Sequence, residues 1–219
     1  MKIAILFSGR INTDIEQYNN IMNNLVQSND VDFFISHSKT VEKNIQDFVN
    51  LYKPKKIMES DELYFDCSIY QKRSEANKHN VMCMFLNRKN VCNLLKEYIN
   101  ENNINYDIII SSRCDLWFDE KLDINSLMNH INNNELCIPN PQFDYTGIND
   151  QFAIGNYNTI TTYLQVYDSL FNILESTPSV FHPETLLAIY LQLKNENIYR
   201  FNLMYIIKRY PYTGIRKRR

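Results

Sequence analysis

The sequence predicts an α/β fold in which a mixed, mostly parallel sheet is flanked by helices. Three observations carry that expectation. A short apolar strand at residues 2–7 passes through a glycine-containing loop into a capped helix. Strand-like and helix-like segments then alternate along the chain, the pattern of β-α-β units. Finally, the stretch from Tyr106 to Phe118 begins as a β-branched apolar run suited to a strand buried on both faces. It breaks into Ser111-Ser112-Arg113-Cys114-Asp115 before apolar character returns with Leu116-Trp117-Phe118. A strand ending in an Arg and an Asp places charge where open α/β sheets bind ligands, so Asp115 is a candidate to face a diphosphate or its metal ion.

Residues 2–7 are followed by Ser8-Gly9-Arg10-Ile11-Asn12 and then Thr13-Asp14-Ile15-Glu16, a capping-box pattern opening a helix on Ile15, Tyr18, Met22 and Leu25. With only four glycines in the chain, Gly9 argues for close backbone approach or positive φ. Val31–Ser36 gives a second strand ending at His37, which is placed to touch a ligand or to serve as a structural histidine. A helix on Val41, Ile45, Phe48 and Tyr52 stops at Pro54, and 55–58 reads as a short strand. Residues 67–100 contain no Gly or Pro and read as one long helix with a core face at Val81, Phe85, Cys92, Leu95 and Ile99. Arg73 and Asn80 precede its most apolar part and could reach a ligand.

After Phe118 come a helix around 124–131, a strand at 136–138 and a polar loop from Asn140 to Asp150. Loops of that length inside a domain often carry function. Residues 150–156 read as a short strand entered by an acid. Ile160, Tyr163, Leu164, Tyr167, Leu170, Phe171 and Leu174 predict one continuous core helix. His182-Pro183-Glu184 opens another, with Pro183 suited to its first position and Glu184 to its N-terminal dipole. A strand near 199–207 closes the fold.

The 219 residues are expected to form one domain over 1–215 with a basic tail at 216–219. A net charge of −2 gives no electrostatic footprint for nucleic acid. No apolar run approaches the length of a membrane span, the many Asn residues form no N-x-Ser/Thr acceptor, which agrees with a cytoplasmic protein, and the tail suits at most a peripheral contact with an anionic membrane. The five cysteines form no C-x-x-C pair and read as buried free thiols.

Three acid-bearing segments sit at edges between regular elements: Arg113-Cys114-Asp115, the loop from Asp144 to Asp150, and His182-Pro183-Glu184. Diphosphate chemistry needs the leaving group neutralised by Arg, Lys or a divalent metal. Sugar transfer to a hydroxyl needs a base for its proton when configuration inverts. The three segments could supply both. Arg113 and Asp115 could equally form a structural ion pair.

The order Phe-Ser-Gly-Arg, Ile-Ser-His, Ser-Arg-Cys-Asp-Leu, Asp-Gln-Phe-Ala-Ile-Gly and His-Pro-Glu resembles glycosyltransferase-A-type (GT-A-like, Rossmann-like) proteins. These include enzymes of chlorella viruses and other large DNA viruses and of bacterial surface-polysaccharide synthesis. The resemblance implies a nucleotide-sugar donor, a UDP-sugar first, a glycan acceptor, and Mn²⁺ or Mg²⁺ at an Asp-x-Asp motif. Asp115 matches the second, metal-contacting acid of that motif, and Arg113 stands where the first would be. By the same resemblance, Ser8, Gly9 and Arg10 line the nucleotide; His37, Arg73, Asn80 and Arg113 are, from their places in the chain, further candidates to contact the donor. Asp150 lies on the acceptor side as general base, with Glu184 as its substitute. A sugar nucleotidyltransferase and a non-catalytic carbohydrate-binding relative are the competing readings; Ser8-Gly9-Arg10 is a poor match to the longer Gly-rich loop of the former.

Overall fold

The computed structural model describes residues 1–11, 14–27, 29–38, 45–61, 65–66, 77–140, 147–177 and 181–208. Its main sheet contains β1 (Lys2–Ser8), β2 (Asp30–Ser38), β3 (Lys56–Ser60), β4 (Ile108–Ser112), β6 (Leu136–Pro139), β7 (Phe152–Gly155) and β8 (Ile198–Phe201). The strand order is β3-β2-β1-β4-β7-β6-β8, and β7 alone runs antiparallel to its neighbours. The short strands β5 (Leu116–Phe118) and β9 (Tyr205–Ile207) pair separately. The expected α/β architecture is therefore present. The expected strand over 199–207 is instead two strands in two sheets, parted at Asn202–Met204.

Alternation along β1 explains its unbroken apolar sequence. Ile3, Ile5 and Phe7 enter one core with α1 (Ile15–Ile21), α2 (Ile45–Tyr52) and α4 (Ile124–Asn132). Ala4 and Leu6 enter the opposite core with α3 (Lys78–Asn102), α5 (Tyr157–Leu164), α6 (Leu170–Ser176) and α7 (Pro183–Leu193). Successive side chains point to opposite faces of a strand, so a sheet covered on both sides needs apolar residues at every position.

The crossovers set the strand order. From β1 through α1 to β2, and through α2 to β3, the chain moves outward with both helices on one face. It then returns through α3 on the other face to place β4 on the far side of β1. Right-handed crossovers require that change of face when the direction of travel reverses.

Several boundaries differ from the sequence expectation. The N-cap of α1 is Asp14, whose side chain accepts from Gln17 N; Thr13 lies outside the described residues. The helix expected from residue 67 cannot run through Asn77. That residue has extended backbone and caps α3 by accepting from Asn80 N, and 67–76 lie outside the described residues. The helix expected across 160–174 breaks after Leu164 into a 3-10 turn, Val166–Ser169, before α6. The break turns the face, so Val166 is buried while Phe171 is exposed.

Cys92, Cys114 and Cys137 are buried free thiols and Cys83 is half-buried, while Cys67 lies outside the described residues. Burial pushes the Cys92 thiol up to about 11, with Lys96 opposing the shift. Burial, helped by Glu135, pushes Cys137 to about 12. Neither is a nucleophile near neutral pH. The basic tail at 216–219 and the loop residues 141–146, Asp144 included, lie outside the described residues.

Candidate active site

The switch point of the sheet lies between β1 and β4, where the crossovers diverge to opposite sides. Open α/β sheets bind ligands in the crevice outside the C-terminal strand ends at that point. The loop after β1 and the segment after β4 meet there. Gly9 has φ +100°, and a Cβ added to it would touch nothing within 4 Å. Glycine is thus demanded by backbone conformation, not by crowding. Gly9 N donates to Ser36 O at 3.0 Å, tying the loop to β2. Cys114 Sγ donates to Arg10 O at 3.0 Å, tying it to the β4 segment. The Arg10 side chain is exposed and has no ion pair among the described residues.

Beyond β4, Arg113 grips Asp115 through two bonds, Nε to Oδ1 at 2.8 Å and Nη2 to Oδ2 at 2.6 Å. The Asp115 side chain is 9% exposed and that of Arg113 36%. Burial works against the guanidinium charge, but the carboxylates of Asp115 and Asp150 outweigh it and hold the Arg113 pKa above its usual value. The pair uses two of five guanidinium N–H groups, leaving three for a ligand.

Neighbouring elements fix Asp115. Lys208 N donates to Asp115 O at 2.8 Å, and β9 pairs with β5 immediately after it. Lys208 Nζ lies 4.6 Å from the Trp117 ring centre and forms ion pairs with Asp14 and Glu16. Side-chain amides of the first helical segment hold β5 from the other side. Asn20 exchanges two bonds with the Phe118 backbone, and Gln17 donates to Leu116 O.

The antiparallel β7 brings its N-terminal end to the same rim. Ser112 pairs with Phe152, and Arg113 N donates to Gln151 O at 3.1 Å, which sets Asp150 beside the guanidinium. Asn149, which the sequence reading passed over, fixes that turn. Its Oδ1 accepts from Gln151 N at 2.8 Å, its Nδ2 donates to Tyr205 Oη at 2.6 Å, and its backbone oxygen accepts from Tyr163 Oη. Only its place beside Asp150 in a polar loop hinted at this. Asn149→Ala leaves buried donors unmatched and is expected to cost about 2–4 kcal/mol in urea unfolding. A loss under about 1 kcal/mol would contradict this role for the residue.

Glu184 is buried at the first turn of α7, and its Oε2 lies 3.2 Å from His182 Nδ1. The turn before Asp150 rests on this helix start. Ile148 N donates to Glu184 O at 3.1 Å, and a Cβ on Gly147 would lie 2.3 Å from the same carbonyl. Gly147 is therefore a close-approach glycine.

On the β2 side, His37 is buried and its Nδ1 lies 3.1 Å from Ser38 O. A carbonyl only accepts, so Nδ1 carries the proton and a neutral ring keeps Nε2 as an acceptor. Ser36, Ser38, Ser60, Asn87 and Asn90 form a connected polar network beside it. Asn80 is exposed on α3, about two turns beyond Asn87. Arg73 lies outside the described residues. Ser8, Gly9, Arg10, His37, Arg113, Asp115 and Asp150 thus share one rim, and Glu184 reaches it through the turn at 147–150.

Asp115 as it stands does not fit a divalent cation. Both its oxygens are committed to Arg113, whose positive charge would repel the ion. Among the described residues no three His, Cys, Asp or Glu side chains group as a metal site would require.

A family model described as "Domain of unknown function (DUF7796)" matches residues 12–213. The chain belongs to the DUF7796 family. A search of curated proteins finds no match. Among solved structures, the chain is similar to a "putative nucleotide-diphospho-sugar transferase from Desulfovibrio desulfuricans G20", with 9% identity and a TM-score of 0.46 over 92% of this chain and 79% of that one. No helix among the described residues is long and apolar enough to cross a membrane.

Proposed function

We propose that this DUF7796 chain is a glycosyltransferase that moves a sugar from a nucleoside-diphosphate donor to a hydroxyl of a glycan acceptor. The observation that carries the proposal is the switch-point crevice, where the Gly9 loop, Arg113 and Asp150 meet. Arg10 and the N–H groups of Arg113 not spent on Asp115 neutralise the diphosphate, the work a metal does in Asp-x-Asp enzymes. Asp115 holds the guanidinium in place. Asp150 takes the proton of the acceptor hydroxyl while that hydroxyl's oxygen bonds to the anomeric carbon, and the bond from that carbon to phosphate oxygen breaks with its electron pair on the departing diphosphate. Asp150 is preferred to Glu184 as the base because Glu184 is buried against His182, whereas Asp150 is half-exposed beside Arg113. His37 Nε2, an acceptor, suits a base that presents an N–H, and uracil does so.

A thermal-shift screen of nucleotide sugars, with and without EDTA, tests this reading. A donor at about 100 times its Kd stabilises the fold by about 2.7 kcal/mol. The expected result is a rise in Tm for one nucleotide class that EDTA leaves unchanged. A screen in which no nucleotide raises Tm would sink the proposal. A second reading, a non-catalytic carbohydrate binder, draws on the locked Arg113–Asp115 pair. Donor hydrolysis by the wild-type protein separates it from the enzyme.

A further inference from the structure

A second polar site lies along the same rim, away from the crevice. The C-terminal ends of β6 and β8 and the first turn of α4 line an open pocket of about 300 Å³. Asn140, Tyr199, Arg200, Asn202, Asp123 and Ser126 are among its lining residues. Asn140 Nδ2 donates to Asn202 Oδ1 at 2.5 Å, and Asn140 N donates to Phe201 O at 2.6 Å. Two amides bonded to each other in this way keep one carbonyl and one NH₂ group for a visitor, whichever way each amide is turned. Both residues are exposed. Arg200 Nη1 donates to Pro139 O at 3.0 Å, and the Tyr199 ring stacks on His130 at 3.4 Å between centres. The walls are therefore held in place before any ligand arrives.

The lining balances one Asp against one Arg, so it does not select strongly for either sign of charge. Paired donors and acceptors beside an aromatic ring match a neutral ligand bearing several hydroxyls. We infer that this cavity binds a neutral sugar ring. On the glycosyltransferase reading, on which this role rests, that ring is an inner residue of the acceptor glycan. The strand order gives the spacing. Asp150 stands at the start of β7, and from β7 to the gap between β6 and β8 is about 7 Å at the usual separation of neighbouring strands. That exceeds a single sugar ring, so a glycan with its terminal hydroxyl at Asp150 would reach the cavity through a further residue. The acceptor is an oligosaccharide, not a monosaccharide.

The test is an NMR titration of ¹⁵N-labelled protein with methyl glycosides of glucose, galactose, mannose and N-acetylglucosamine, following the Asn140 and Asn202 side-chain amides. At least one glycoside is expected to shift both, with binding about three- to tenfold weaker in Asn202→Ala, the loss of one neutral hydrogen bond. Asn202 is exposed, so the variant is expected to fold, and its melting temperature checks this. Absence of any shift at these amides overturns the inference, as does equal affinity in a folded Asn202→Ala. A separate titration with UDP reports on the crevice. Glycoside binding without binding of any nucleotide keeps the cavity as a sugar site and removes the transferase. Nucleotide binding without glycoside binding does the reverse.

Discussion

Asp150→Asn slows sugar transfer by roughly 10²–10⁴-fold while leaving donor affinity unchanged, the size of effect expected when a positioned general base is removed. The substitution is nearly isosteric. The backbone around it is held by Asn149 and by the Arg113 N to Gln151 O bond, so the turn keeps its shape. The prediction separates the two candidate bases, because Glu184→Gln acts on a buried group paired with His182 and is expected to lower stability before it lowers the rate. Steady-state rates and donor titration on both variants decide it. A transfer rate that survives in Asp150→Asn removes that residue from the reaction.

Arg113→Lys weakens donor binding by about tenfold although it keeps the charge. Lysine cannot span both oxygens of Asp115 and still present a planar fork to phosphate, so the pair and its remaining donors are lost together. Arg113→Ala leaves the buried Asp115 carboxylate without its partner. Breaking a buried pair costs about 3–5 kcal/mol, and with a third of the arginine exposed the expected cost is about 2 kcal/mol. Calorimetric titration and urea unfolding measure the two effects. If Mn²⁺ tightens donor binding in the wild type and Asp115→Asn abolishes that gain, Asp115 leaves Arg113 to hold a metal, and the arginine account fails.

Much of this architecture was legible in the residues themselves. The apolar runs of β1 and β4, the Gly9 loop and the Pro183 start of α7 each state a local rule that the fold obeys. The charged end of β4 was legible too, because Arg and Asp after a buried strand have few places to go. What escaped depends on tertiary partners. Nothing near Leu116 shows that its strand will pair with Tyr205–Ile207, far along the chain. The break at Gln165 hides inside a helical apolar pattern, since Val166 replaces Phe171 in the core without disturbing the spacing. The roles of Gln17, Asn20 and Asn149 were invisible for a different reason. In a chain so rich in amides, no single Asn or Gln stands out until its partners are known. The Arg113–Asp115 bond was one of several readings of the Arg-x-Asp spacing, and only the geometry selects it.

The central claim is that a nucleoside diphosphate binds at the switch point through Arg10 and Arg113. The most direct measurement is an NMR titration of the ¹⁵N-labelled protein with UDP in EDTA, and with other nucleoside diphosphates in parallel. The account predicts that one of them moves the backbone amides of Ser8, Gly9, Arg10, His37 and Arg113–Asp115, and that Arg10→Ala weakens the interaction by about tenfold, consistent with the loss of a charge-assisted contact. Shifts confined to another part of the sheet, or no shift at these amides with any nucleotide, would contradict it.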